Sequence, residues 1–210
     1  MRPIVIVAAG GIGSRFGADR PKQFCRLCGK TVLEHACAKF AGMQLVVVID
    51  PAWAEYVPAD ALTALPGKTR WESVRNALEA CKGIEADVIL VHDAARPLVS
   101  QDVIRRVIEA CGKHQGAVPV VPVTDSLRLT DGSAVNRADF RAVQTPQGFR
   151  AEMLRKAYEL PEHPEFTDDA SVMTAAGYTD IAMVAGDPAN FKITNPMDLK
   201  IVELWMQQQI

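Results

Sequence analysis

The chain has 210 residues, 49% of them hydrophobic and 23% charged, with 23 lysines and arginines against 25 aspartates and glutamates. That length suffices for one domain around one main core, and a formal net charge of -2 supplies no global field for holding nucleic acid. The apolar run Ile4 to Ala9 is too short for a signal-peptide core, and no stretch approaches the roughly 20 apolar residues of a membrane span. The odd, scattered set of five cysteines suits small buried side chains in a reducing compartment, so a cytoplasmic protein is expected.

In chain order, Pro3 to Ala8 reads as a strand, Thr31 to Phe40 as a helix opened by a Thr31–Glu34 capping box, and Leu45 to Ile49 as a second strand. The alternation then repeats. Val74, Ala77, Leu78 and Cys81 keep helical spacing, and Asp87 to His92 is strand-like. Ser100 caps a helix over 101–112 that carries an apolar stripe, and Ala117 to Val121 returns as a strand. Strands alternating with helices predict an α/β fold with a doubly wound, mostly parallel sheet. Pro122 to Val143 interrupts this rhythm: it lacks a helical stripe, places a turn at Thr130-Asp131-Gly132-Ser133, and reads as a protruding β-hairpin arm. Asn190 to Thr194 is strand-like, and Asn195-Pro196 caps a last helix. A single domain over 1–210 with its arm at about 122–143 is expected.

The loop Ala8-Ala9-Gly10-Gly11-Ile12-Gly13-Ser14-Arg15-Phe16-Gly17 follows the first strand directly. Its glycines let backbone N–H groups come close to phosphate oxygens. Gly11, Gly13 and Gly17 miss the dinucleotide spacing, and the cluster Arg15, Arg20 and Lys22 suits a triphosphate better than a bridging pyrophosphate. Gly29-Lys30-Thr31 and Gly67-Lys68-Thr69 resemble the end of a P-loop but lack its earlier glycine. Cys25-Arg26-Leu27-Cys28 has no second matching pair, which favours a metal-free reading. Asp93 and Arg96 follow the strand ending at His92, the edge where open α/β sheets bind ligands. Thr167 to Ser171 suits a helix start with Asp168 and Asp169 at its positive end. Lys192 stands among apolar neighbours ahead of the final cap.

Taken together, the glycine loop with Pro21-Lys22-Gln23-Phe24, Arg70-x-x-Ser73-Val74, His92 to Pro97, Gln144-Thr145-Pro146-Gln147, Thr167 to Ser171 and Asn190 to Thr194 resemble the 2-C-methyl-D-erythritol 4-phosphate cytidylyltransferase family of the non-mevalonate isoprenoid pathway. The resemblance runs from residue 3 to about 203. It implies a Rossmann-like nucleotidyltransferase that joins CTP to a sugar-alcohol phosphate, with Mg2+ or another divalent cation. It also implies a homodimer that exchanges arms, and neither a nucleic-acid nor a membrane partner.

By that resemblance Arg15 and Lys22 stabilise the transition state, while Arg137 and Lys192 position the methylerythritol phosphate, Arg137 from the partner subunit. Ala8, Ala9, Gly10, Gly11, Gly13, Gly67, Ser73, Asp93 and Ala94 line the CTP side; Arg96, Asp125, Ser126, Thr145 and Thr167 line the acceptor side. The family more often has threonine where Ser126 stands, a change that keeps the hydroxyl. A ribitol 5-phosphate cytidylyltransferase would need nearly the same constellation. A dinucleotide-dependent oxidoreductase is disfavoured by the glycine spacing, and a non-catalytic nucleotide-binding regulator would bind CTP without releasing pyrophosphate.

Overall fold

A computed structural model describes residues 1–11 and 20–208. The apolar runs become strands β1 (Pro3–Ala8), β4 (Gln44–Val48), β5 (Leu62–Ala64), β6 (Val88–Asp93), β7 (Gly116–Pro122) and β10 (Ile181–Ala185), with β9 (Gln147–Arg150) between β6 and β7. Strand order across the sheet is β10-β7-β9-β6-β1-β4-β5, and β8 (Arg141–Val143) pairs with β7. Neighbours β6-β1, β1-β4, β4-β5 and β7-β10 run parallel. β9 is antiparallel to both β6 and β7, an exception to the parallel alternation that the sequence implies.

Near-continuous apolar strands are what a sheet covered on both faces requires, and the two-residue side-chain period divides them cleanly. Ile4, Ile6, Val46, Val48, Ile89 and Val91 enter one core layer. Val5, Val7, Leu45, Val47, Val88 and Leu90 enter the other. Trp71, Val74, Ala77 and Leu78 of α2 (Arg70–Ala80) cover the first layer, together with Leu154 of α4 (Ala151–Ala157) and Val172 and Met173 of α5 (Asp169–Ala175). Leu33 and Cys37 of α1 (Val32–Ala38) and Val103, Ile104 and Val107 of α3 (Gln101–Cys111) cover the second. Cys37, Cys81 and Cys111 are buried in these layers, as their apolar settings predict, and burial pushes the Cys37 and Cys111 thiols up to about 12.

The capping signals hold. Thr31 and Glu34 form the reciprocal box on α1, Ser100 accepts from the Val103 N–H, and Asn195 caps α6 (Pro196–Gln207) with proline at its first turn. Cys28 and Gly29, both at positive φ (46° and 84°), make the corner between the short strands β2 (Arg26–Leu27) and β3 (Lys30–Thr31). Asn190 to Thr194, read from sequence as strand-like, is irregular. Its anchors are distant in the chain and form no ladder: the Ile193 N–H donates to the Ala95 carbonyl, and Ile193 is buried against Leu27, Val32 and Val202.

Candidate active site

β1 has β4 on one side and β6 on the other, although β4 comes next in the chain and β6 later. This is the topological switch point of the sheet, and the carboxyl ends of the two flanking strands open a crevice there. A cleft of about 670 Å3 occupies it. Ala8, Gly10 and Gly11 line it from the end of β1, Asp93 and Ala94 from the end of β6. Lys22, Gly67, Ser73 and Lys192, each singled out in the sequence, come in from separate segments, joined by Lys68, Thr69 and Arg70.

The glycine loop is pinned from behind. Gln23 is buried, and its side-chain amide donates to the carbonyls of Ala9 at 2.6 Å and Gly11 at 2.8 Å. A Cβ on Gly10 would overlap the Pro66 ring, and one on Gly67 would overlap Glu72, so these two glycines permit the loops to meet. The Gly67 N–H donates to Ser73 Oγ at 3.0 Å, and the Lys68 N–H to Glu72 Oε2 at 2.6 Å, folding residues 67–69 onto the start of α2. Among the described residues the Gly10 and Gly11 N–H groups make no hydrogen bond, which leaves them available to an anion.

Asp93 is the electrostatic centre of the cleft. Arg70 Nη1 lies 2.8 Å from its Oδ1, Lys192 Nζ 2.9 Å and Arg96 Nε 3.5 Å from its Oδ2. Burial alone would raise this carboxyl, but Arg70, Lys192 and Arg96 outweigh it and hold it well below the usual carboxylate range. Arg70 also reaches Asp169 Oδ2 at 2.7 Å, at the first turn of α5, and Tyr158 donates to the other oxygen of Asp169 at 2.7 Å. Burial would lower the Arg70 guanidinium, yet Asp169 and Asp93 together raise it. Arg70 therefore joins the cleft to α5 as a fixed cation, whereas Lys192, with 43% of its side chain exposed, pairs with Asp93 at the solvent edge.

Thr145 and Arg96 stand beneath the cleft rather than along its surface. Thr145 Oγ1 accepts the Asp93 N–H at 3.0 Å and lies 3.1 Å from His92 Nδ1; His92 Nε2 lies 3.1 Å from the Arg96 carbonyl. Arg96 Nη1 donates to the Asn190 carbonyl at 2.8 Å. Asn190, fully buried, donates in turn to the Thr145 carbonyl at 2.8 Å, tying the segment that carries Lys192 to the site floor. Thr167 is exposed ahead of α5, and Asp125, Ser126 and Arg137 lie on the arm, outside this cleft. Gly13 and Arg15 lie outside the described residues.

Two supporting residues escaped the sequence reading as individuals: Gln23, whose signal was a polar side chain two positions after the proline that closes the loop, and Arg70, whose second carboxylate is 99 residues away. Among the described residues the cleft lining offers Lys22, Lys68, Arg70 and Lys192 against the carboxylate of Asp93, which suits a polyphosphate.

A protein-family model for 2-C-methyl-D-erythritol 4-phosphate cytidylyltransferase matches residues 3–208. The chain is 40% identical over 217 residues to the enzyme of that name from Bacteroides thetaiotaomicron, covering 96% of this chain and 98% of that protein. It is 41% identical over 212 residues to the one from Thermus thermophilus, covering 97% and 96%. The crystal structure of the Thermus thermophilus enzyme superposes with a TM-score of 0.81 at 35% identity over 99% of this chain and all of that one. A bifunctional IspDF from Campylobacter jejuni superposes with a TM-score of 0.84 at 31% identity, covering 95% of this chain but 54% of that one.

Proposed function

The chain belongs to the 2-C-methyl-D-erythritol 4-phosphate cytidylyltransferase family, and we infer that it transfers CMP from CTP to 2-C-methyl-D-erythritol 4-phosphate. The products are pyrophosphate and 4-diphosphocytidyl-2-C-methyl-D-erythritol. The observation that carries this reading is the cation-lined cleft at the switch point, whose lining includes Gly10, Gly11, Lys22 and Lys192. The amides of Gly10 and Gly11 suit the triphosphate, and Lys192 suits the acceptor phosphate.

The chemistry needs little from the protein beyond placement and charge. The acceptor phosphate has a second pKa near ~6, so at neutral pH it is largely a dianion and needs no general base. One of its oxygens attacks the α-phosphorus of CTP, the bond from that phosphorus to the bridging oxygen breaks, and pyrophosphate leaves with the bonding pair. Lys22, with Arg15 from the glycine loop, opposes the charge that grows on the leaving oxygen. Arg70 cannot follow the substrate because Asp169 holds it, so it fixes Asp93 while Lys192 exchanges its contact with Asp93 for the acceptor phosphate.

A divalent cation fits this donor set, because magnesium favours substrate phosphates plus one or two carboxylates, and Asp93 is the carboxylate the cleft supplies. When bound it would neutralise triphosphate charge. We assign Arg137, Asp125 and Ser126 to the acceptor site of a partner subunit, in a cytoplasmic homodimer that exchanges arms. The exposure of all three on the arm supports this assignment.

The test is pyrophosphate release by the full chain with magnesium, pairing CTP, UTP or ATP with 2-C-methyl-D-erythritol 4-phosphate or ribitol 5-phosphate. Release is expected with CTP and the methylerythritol phosphate, and at least ~100-fold less with ribitol 5-phosphate or with ATP, the discrimination a buried polar site can reach. Equal turnover with ribitol 5-phosphate would reassign the acceptor.

A further inference from the structure

On the arm, Arg137 and Arg141 line one concavity of about 480 Å3 together with Pro122, Val123, Thr124 and Ala138. Arg137 donates to the Thr124 carbonyl. Arg141 Nη1 donates to the carbonyls of Ala138 at 2.9 Å and Phe140 at 2.7 Å. Neither guanidinium meets a carboxylate: every ion pair among the described residues engages other cations, although Asp125 and Asp139 lie on the same arm. Backbone carbonyls orient the two forks without neutralising them. Two uncompensated guanidiniums that share a hollow suit an anion, and both residues are exposed, Arg137 on the arm and Arg141 where the arm rejoins the sheet as β8.

We propose that Arg141 is a second arm residue that binds the acceptor phosphate, gripping it together with Arg137. The acceptor is a dianion, and Lys192 meets it as a point charge on a flexible stem that fixes no orientation. One fork also leaves the phosphate free to turn about its ester bond, whereas in-line attack needs one oxygen held on the axis through the α-phosphorus. A second planar fork fixes the rotation. The proposal rests on the reading that the arm serves the acceptor site, and it adds a residue which the sequence motifs did not single out.

The experiment is initial-rate kinetics on the full-length Arg141→Gln and Arg141→Lys variants, varying each substrate in turn, with sedimentation to follow the oligomeric state. Arg141→Gln is expected to raise KM for the acceptor at least ~10-fold while KM for CTP stays within about threefold, as for losing a charge-assisted hydrogen bond to a phosphate. Arg141→Lys keeps the charge but loses the fork and should fall between Arg141→Gln and the wild type. An acceptor KM within threefold of wild type in Arg141→Gln would overturn the proposal. So would parallel rises in both KM values with loss of the oligomer, which would make Arg141 a structural support of the arm. Should Arg141→Gln not fold, Arg141→Lys decides alone: a selective rise in acceptor KM of at least threefold supports the role, and an unchanged value ends it. Wild-type protein that releases no pyrophosphate from CTP and the methylerythritol phosphate would instead refute the functional reading itself.

Discussion

Thr145 Oγ1 accepts the Asp93 N–H and stands within hydrogen-bond distance of His92 Nδ1, while the Arg96 carbonyl beside His92 Nε2 can only accept. His92 must then carry its proton on Nε2, which donates to the Arg96 carbonyl. With a neutral imidazole, Nδ1 accepts the Thr145 hydroxyl proton. Burial, opposed in part by Asp93, lowers the His92 pKa from 6.5 to about 4. A depressed folded-state value means that the unfolded chain takes up the proton first. The stability contribution is therefore complete above pH 6.5 and is lost as pH falls from 6.5 to about 4. From pH 7 to pH 5 the loss should be about 2 kcal/mol, read by denaturant melts at both values, and His92→Gln should flatten that slope. An equal slope in the variant would mean that other groups carry the acid sensitivity. Asp93 belongs to a lower window, because its stabilisation is lost only as pH falls below its ordinary 3.8. At this scale the sequence showed residue types but not partners. Arg70 at the start of a helix reads as a solvated cation until Asp93 and Asp169, 23 and 99 residues away, are folded against it.

Elements whose signal is local were legible. The turn at 130–133 forms as its composition predicts: the Asp131 carboxylate accepts from the Ser133 N–H and hydroxyl, and Gly132 takes a φ of +89°. Beyond its base on β7 and β8 the arm is only loosely paired, with one bridge between Arg128 and Ala134, so the hairpin reading holds at its two ends. β9 was not legible, for its Gln-Gly-Phe-Arg sequence has little strand character. It is a strand because β6 and β7 flank it and α3 presses on Gly148, where an added Cβ would come within 2.5 Å of Val107 and 3.0 Å of Cys111. The arm carries its own test, since Lys22→Ala damages the cleft and Arg137→Ala damages the arm. Random pairing makes about half of the dimers mixed, and one site in each mixed dimer escapes both lesions, so co-expression should restore roughly a quarter of wild-type turnover. Each variant alone should stay near zero. If Arg137 serves its own chain, every site holds one lesion and no activity returns.

Across the whole molecule, a net charge of -2 conceals a cleft in which, among the described residues, lysines and an arginine surround the Asp93 carboxylate. Composition could therefore exclude a nucleic-acid field but could not locate the phosphate site. That location came from order along the chain: a glycine loop after the first strand and an Asp at the end of β6, which the parallel sheet brings together at its switch point. The claim at the centre is that an acceptor phosphate oxygen attacks the α-phosphorus of CTP in this cleft. Turnover with acceptor phosphate labelled in its non-bridging oxygens with oxygen-18, followed by phosphorus NMR of both products, tests it most directly. The expected result is label in the new diphosphate, including its bridging oxygen, and unlabelled pyrophosphate. Label in the pyrophosphate, or free CMP in place of the diphosphate, would contradict it.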